Sequence, residues 1–395
     1  MSTRTIGRKI TSITEIRANA RRQADQSRAN RRVATTLLVV VAALTVIGLT
    51  ATLSASSTVG IAGADDRFHF FKRQLVGIGI GVVAMAVTSR VPYQWYRRAA
   101  LPIFLGSVIL LVAVLFTGQD AYGARRWINL GPFGFQPSEL AKFGVIIAMA
   151  TVLEKKARLL DDFGHFLAPV AVIVGIPAVL VMLEPDLGTT IVIAVSALAV
   201  LLVSAAPLRF VSLTGLVGAG VATALAFSAD YRRSRIVGFL DPWADPEGAG
   251  WQLIQSYYAL GTGGVFGVGL GASRARWFYL PNAHTDFIFA IIGEESGFLG
   301  GSMVMLLFVL LGVAGWTVAR RAPDPFGRML AAGITAWLTM QAIVNIGGVL
   351  GVLPITGITL PFVSFGGTAV AVSMAAVGVL MSVAQTGRPR RRAKS

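Results

Sequence analysis

A chain of 395 residues that is 54% hydrophobic and only 14% charged, with a mean hydropathy of +0.69, cannot clothe a soluble globule and takes lipid as its solvent. Its formal net charge of +16 invites a nucleic-acid reading, but the basic runs carry no interleaved aromatic platform or recognition motif, so no nucleic-acid partner is expected. The absence of cysteine removes disulfides, thiolate sites and thiol nucleophiles, and the three histidines (His69, His165, His284) are too scattered for a metal cluster.

Residues 1–32 form a basic tail with traces of helical periodicity at Ile6, Ile10, Ile13 and Ile16. It is expected to be disordered or to lie on anionic headgroups. Residues 33–385 form one membrane domain of about ten helices, each able to cross a ~30 Å hydrocarbon core. Span one, 33–53, follows the tail without a cleavage site and reads as a signal anchor. Span two, 75–87, is short and punctuated by glycine. Span three, 99–116, leads to an outer loop holding Gly123-Ala124-Arg125-Arg126-Trp127, and span four runs from Ser138 to the basic Lys155-Lys156.

Spans five (166–183) and six (187–203) flank Glu184-Pro185-Asp186, and span seven covers 210–227. The longest loop, 228–285, holds Trp251, Tyr257, Tyr258, Phe266, Trp277, Phe278 and Tyr279, rings suited to a membrane interface. Its glycine-rich 261–271 stretch reads as a flexible lid. Spans eight (287–318), nine (329–350) and ten (361–383) follow, and 386–395 is a second basic tail. The basic clusters alternate with the spans so that both termini face the cytoplasm and the 228–285 loop faces outward.

Charged side chains at membrane depth are costly and mark sites by default. Glu139 and Lys142 share one helix face at i, i+3, with Ser138 placed to cap that helix. They read equally as a simple internal ion pair. Asp186 is open to pairing with Lys142 or to capping span six. Arg125 and Arg126 form an outer cationic pair that would also serve for unspecific lipid phosphate binding. Glu294 and Glu295 are expected to pair with inward-facing cations. Asp286, where the aromatic loop re-enters the bilayer, is the residue least readily explained as a helix cap.

The run Trp277-Phe278-Tyr279-Leu280-Pro281-Asn282-Ala283-His284-Thr285-Asp286-Phe287 through Glu294-Glu295 resembles the signature of the SEDS family of division, elongation and sporulation proteins. Gly123 to Ile128, Gln136 to Phe143, Glu184 to Thr189, and Gly351 to Gly367 are similar to further family motifs, in family order. Ile292-Gly293-Glu294-Glu295 and Thr356-Gly357-Ile358-Thr359-Leu360-Pro361 look closest to the division branch. Glu184, where the family usually has Gln, and Phe365-Gly366-Gly367-Thr368 depart from the pattern.

The resemblance implies an all-α polytopic glycosyltransferase that polymerises lipid II into peptidoglycan at the outer face of the bacterial cytoplasmic membrane, at the septum. It implies Asp286 as general base and Arg125, Arg126 and Lys142 as the pyrophosphate clamp, with Arg274, Arg276 and His284 in support. Glu139, Asp186, Glu294 and Glu295 would form a structural polar network. No cofactor is required by this reading, although a divalent Mg or Mn ion stays open. Expected partners are a class B penicillin-binding protein and other division proteins. A lipid II flippase and an elongation-type polymerase are the competing readings; a flippase would need a cationic cavity through the whole membrane depth.

Overall fold

The structure is a computed structural model that describes residues 3–59, 68–121, 124–130, 133–275 and 284–386. Apolar windows fold as helices because lipid offers backbone groups no hydrogen-bond partner. The elements are α1 (Thr3–Val59), α2 (His69–Arg90), α3 (Gln94–Arg98), α4 (Ala100–Thr117), strands β1 (Gln119–Ala121), β2 (Ala124–Leu130) and β3 (Phe133–Phe135), then α5 (Pro137–Lys155). There follow α6 (Phe163–Val170), a π turn (Ala171–Gly175), α7 (Ile176–Leu183), α8 (Leu187–Leu202), α9 (Leu208–Phe227), α10 (Asp230–Leu240), a short 3-10 turn (Pro242–Ala244), α11 (Trp251–Gly263), α12 (Ile288–Arg321), α13 (Pro325–Val349) and α14 (Gly367–Gln385).

Among the described residues, eight helical stretches are long and apolar enough to cross a membrane, with α6, the π turn and α7 acting as one. Two further expected spans fall outside that description for separate reasons. Helix α8 is apolar but only 16 residues long, and α5 carries Glu139, Lys142, Glu154 and Lys155. Burial explains how α5 tolerates those charges: it is enclosed along almost its whole length, packed among α4, α8, α13 and α14. Helices α2, α4 and α9 instead turn large apolar side chains outward, as lipid-facing helices do.

The structure departs from the sequence reading at several points. The basic tail is not a separate element, since α1 runs unbroken from Thr3. The loop around Arg125 and Arg126 is a small antiparallel sheet in the order β1-β2-β3; strands of three residues are too short to show alternation. Ser138 does not cap α5, whose N-cap is Gln136 with Pro137 in the first turn; the Ser138 hydroxyl is buried without a partner. The last span begins at Gly367, because residues 355–366 are non-helical and Phe362 takes a left-handed φ of 66°.

Close backbone approach holds α14 to α2. A Cβ on Gly77 would lie 2.6 Å from the Gly367 Cα, so only a side chain of a single hydrogen fits. The Gln74 amide donates to the Ser364 carbonyl at 3.1 Å and accepts the Gly366 N–H at 3.1 Å, satisfying both sides of the break before α14. A Gly77→Val protein must push these backbones apart. We expect it to lose stability by about 1–3 kcal/mol, the usual cost of overpacking, read as a lower melting temperature in detergent; an unchanged melting temperature would refute the close contact.

Candidate active site

A cavity of about 700 Å³ lies between the β-sheet, the 355–366 segment and helices α2, α8 and α14. Asp286, Arg126, Arg73, His284, Asp186 and Glu139 supply its polar wall, and Ile80, Ala371 and Val372 its apolar extension along α2 and α14.

Asp286 is the third residue of a turn, His284 to Phe287, that precedes α12. Three successive main-chain carbonyls of this turn are each taken by a donor from elsewhere. The Phe365 N–H donates to the His284 carbonyl at 3.0 Å, Ser364 Oγ to that of Thr285 at 2.6 Å, and Asn345 Nδ2 to that of Asp286 at 2.8 Å. The same Asn345 amide donates to the Ile358 carbonyl at 2.8 Å. The carboxylate does not cap α12, whose N-cap is Phe287 without a side-chain bond. It is therefore free to face the cavity. Burial raises its pKa to about 6, against the charges of Arg235 and Arg126, which favour ionisation.

The bulge in β2 decides between the two arginines. Gln119 pairs with Trp127 and Asp120 with Arg125, leaving Arg126 as the extra residue. A bulge re-aims the side chain it carries, and here Arg126 and Trp127 both line the cavity, whereas Arg125 is exposed and does not. Arg126 is then gripped by the Glu184-Pro185-Asp186 corner. Its Nε donates to the Glu184 carbonyl at 2.8 Å, a terminal nitrogen to that of Pro185 at 2.6 Å, and the Asp186 carboxylate lies 3.9 Å away. Asp186 itself caps α8, accepting the Thr189 N–H at 3.0 Å and its hydroxyl at 2.9 Å. Of its two open readings, capping is the one realised; Lys142 pairs elsewhere.

Lys142 is 1% exposed and does not line the cavity. Its ammonium meets Glu139 at 2.7 Å and the Gln341 carbonyl oxygen at 2.8 Å. Trp337 covers it, with the ring centroid 5.1 Å away. The second Glu139 oxygen is buried without a hydrogen bond, on a residue that does line the cavity. The pair is thus an internal brace. Gln341 extends it through a 2.9 Å bond from Nε2 to the Thr359 carbonyl, next to the Ile358 held by Asn345.

Glu294 and Glu295 form a separate cluster, and neither has a cation as partner among the described residues. Glu294 accepts from Ser273 Oγ at 2.5 Å and from the N–H groups of Arg274 and Ala275 at 2.9 and 3.2 Å; Glu295 accepts from the Ser54 hydroxyl of α1. They anchor the loop rather than neutralise charge. The Arg274 side chain is exposed and stands outside the cavity, and Arg276 lies outside the described residues.

The glycine-rich stretch is no lid over this cavity. It docks on α12 where Gly297 interrupts the helix at φ 66°. Val268 and Gly269 donate to the Glu294 and Glu295 carbonyls, and Phe298 and Leu299 to those of Gly264 and Val265.

His284 sits between Phe70 and Phe365, with centroids 4.7 and 5.7 Å away, and burial lowers its pKa. Burial therefore works against its protonated form, and so against a role as a cation. Two residues passed over in the sequence reading belong here. Arg73, in the first turns of α2, lines the cavity beside His69. Arg235 of α10 donates to the Ile355 carbonyl at 3.3 Å and faces Asp286 across Gly357, whose Cβ would stand 3.4 Å from the guanidinium and 3.5 Å from the carboxylate. A signal for Arg235 existed: Arg232, Arg233 and Arg235 cluster in the loop that the positive-inside rule itself assigns to the outer side. Among the described residues, no three His, Asp or Glu side chains come together as a metal site.

Glu184 is fully buried with both carboxylate oxygens unpartnered. Burial, then the Asp186 charge, raises its pKa to about 8, against Arg126. A protonated Glu has the shape and charge of Gln. Between the ordinary value of 4.5 and about 8, folding takes up a proton, so this group costs stability as pH rises. Glu184→Gln should therefore melt higher than the parent at pH 8, with the gap closing toward pH 5; a gap constant with pH would refute a protonated Glu184.

Comparison with known proteins identifies the family. The sequence profile described as "Cell cycle protein", for FtsW, RodA and SpoVE, matches residues 34–388. Stage V sporulation protein E of Bacillus subtilis (strain 168) is 41% identical, over 89% of this chain and 97% of its own. A probable peptidoglycan glycosyltransferase FtsW of Geobacter sp. (strain M18) is 42% identical, over 88% and 95%. Among solved structures, a chain described under structural coordination of polymerization and crosslinking by a peptidoglycan synthase complex superposes with a TM-score of 0.72 at 31% identity, over 89% and 97%. The rod shape determining protein RodA of Thermus thermophilus superposes with 0.65 at 30%, over 88% and 95%. This chain belongs to the FtsW/RodA/SpoVE family of cell cycle proteins, the SEDS family.

Proposed function

We propose that this protein is a peptidoglycan glycosyltransferase that polymerises lipid II at the outer face of the bacterial cytoplasmic membrane, in the septal branch of the family. The observation that carries the reading is the placement of Asp286 at one wall of a cavity whose other walls hold Arg126 and Arg73, with an apolar extension along α2 and α14. The sugars and pyrophosphate match the polar end and the polyprenyl tail the apolar one. The topology that goes with it has ten spans, α5 and α8 included, both termini in the cytoplasm and the α10–α11 loop outside.

In this mechanism Asp286 takes the proton of the acceptor 4-hydroxyl as its oxygen attacks the donor anomeric carbon. The new O–C bond forms with inversion while the bond from that carbon to the pyrophosphate oxygen breaks, and polyprenyl pyrophosphate leaves. A raised carboxylate pKa strengthens the base. Arg126, oriented by the 184–186 corner, Arg73 and Arg235 supply positive charge for the departing pyrophosphate. Lys142 and Glu139 act through Gln341 as scaffold. A class B penicillin-binding protein as crosslinking partner is supported by the solved synthase complex.

The base must be ionised. Polymerisation of lipid II by the purified protein with its partner should fall as pH drops through about 6, tending to tenfold per pH unit below it, and Asp286→Asn should abolish it. A folded Asp286→Asn protein with full activity sinks the assignment. Asn345→Ala frees the Asp286 carbonyl and the 358 segment together. It should lower kcat about tenfold to hundredfold, as misplacement of a reacting group does, with KM for lipid II little changed; a drop confined to KM would show that Asn345 binds substrate instead.

A further inference from the structure

The far end of α12 from Asp286 carries a second cavity. It has a volume of about 420 Å³ and is lined by Leu202, Val203, Trp316, Ala319, Arg320 and Arg328. These come from the end of α8, the last turns of α12 and the first turn of α13. The volume falls within the ~300–1,000 Å³ of ordinary ligand sites.

Its two cations are uncommitted: among the described residues, neither Arg320 nor Arg328 forms a side-chain hydrogen bond or ion pair. Asp324, the acid between them in sequence, is already spent. One of its oxygens accepts the Gly327 N–H at 2.7 Å and caps α13, and the other accepts the Tyr93 hydroxyl. That second bond, after burial, helps to raise the Tyr93 pKa, so this acid is held away from the arginines by a partner of its own.

The remaining lining is apolar and open to the surface, with Leu202 56% and Trp316 49% exposed. Two free guanidiniums above an apolar, aromatic wall match one ligand chemistry, a phosphate attached to acyl chains. Basic pockets between membrane helices bind anionic headgroups in this way. We propose that this cavity is a binding site for an anionic phospholipid of the cytoplasmic leaflet, its phosphate between Arg320 and Arg328 and its chains along Leu202 and Trp316. The site is distinct from the Asp286 cavity and stands or falls separately from the polymerase reading.

The test is titration of the purified full-length protein in zwitterionic detergent with phosphatidylglycerol or chain-matched phosphatidylcholine, counting bound lipid by native mass spectrometry. Phosphatidylglycerol should be retained over phosphatidylcholine. Arg320→Ala and Arg328→Ala should each weaken that retention about fivefold, the effect of ~1 kcal/mol per cation at an anionic surface. Arg158→Ala, in the exposed basic turn after α5, should not. Unchanged retention in the double variant, or an equal loss in Arg158→Ala, overturns the proposal. Displacement of the lipid by millimolar inorganic phosphate overturns it in favour of a free-anion site. A photoactivatable phosphatidylglycerol gives a variant-free check: crosslinks must fall on the ends of α8 and α12, and labelling only elsewhere refutes the site.

Discussion

A membrane interior gives an unpaired backbone group no water to turn to, and four irregular segments among the described residues are shaped by that constraint. The His284 to Phe287 turn, the 355–366 segment, the 184–186 corner and the break at Gly297 are all non-helical, and each is satisfied by protein. Phe365, Ser364 and Asn345 close the first two against each other, Gln74 closes the third side of that junction, and Arg126 closes the corner. Backbone satisfaction and site geometry are thus one requirement. The residues that make irregular chain tolerable at this depth are those that fix where Asp286 and Arg126 point.

The buried pair of Glu139 and Lys142 meets the same demand on the lysine side, while one Glu139 oxygen is left without a hydrogen bond. An ion pair taken out of water gains little unless its remaining valences are met. Lys142 has Gln341 and the face of Trp337 besides Glu139. Gln341 and Asn345 lie four residues apart on α13 and reach adjacent residues, Thr359 and Ile358. One helix face therefore carries structure from the centre of the bundle to the turn that holds Asp286.

Much of this was legible in the sequence, for identifiable reasons. Asp286 stood out because a carboxylate beside a membrane span is costly, and the Glu139–Lys142 pair because i, i+3 spacing puts both on one face. Which way that face points cannot be read from spacing, so Lys142 was given to the pyrophosphate although it is enclosed. Arg126 and Arg125 were indistinguishable until a one-residue bulge separated them. Arg73 and Arg235 were passed over because their roles depend on packing between α2, α10 and segments hundreds or scores of residues away. Glu294 and Glu295 were matched with cations that the fold replaces by Ser54, Ser273 and main-chain N–H groups.

The interruption at Gly297 has a mechanical meaning. A continuous helix transmits bending along its length; a helix whose rung is replaced by bonds to another segment does not. The turns of α12 from Ile288 to the break are bonded to the glycine-rich loop through the Glu294 and Glu295 carbonyls, and the turns below are bonded to the same loop at Gly264 and Val265. Gly267 and Gly297 meet so closely that a Cβ on either would strike the other segment's backbone. The loop is a splint bonded on both sides of the joint, so it, and not the helix's own ladder, fixes how the Asp286 end of α12 stands on the turns that follow the break.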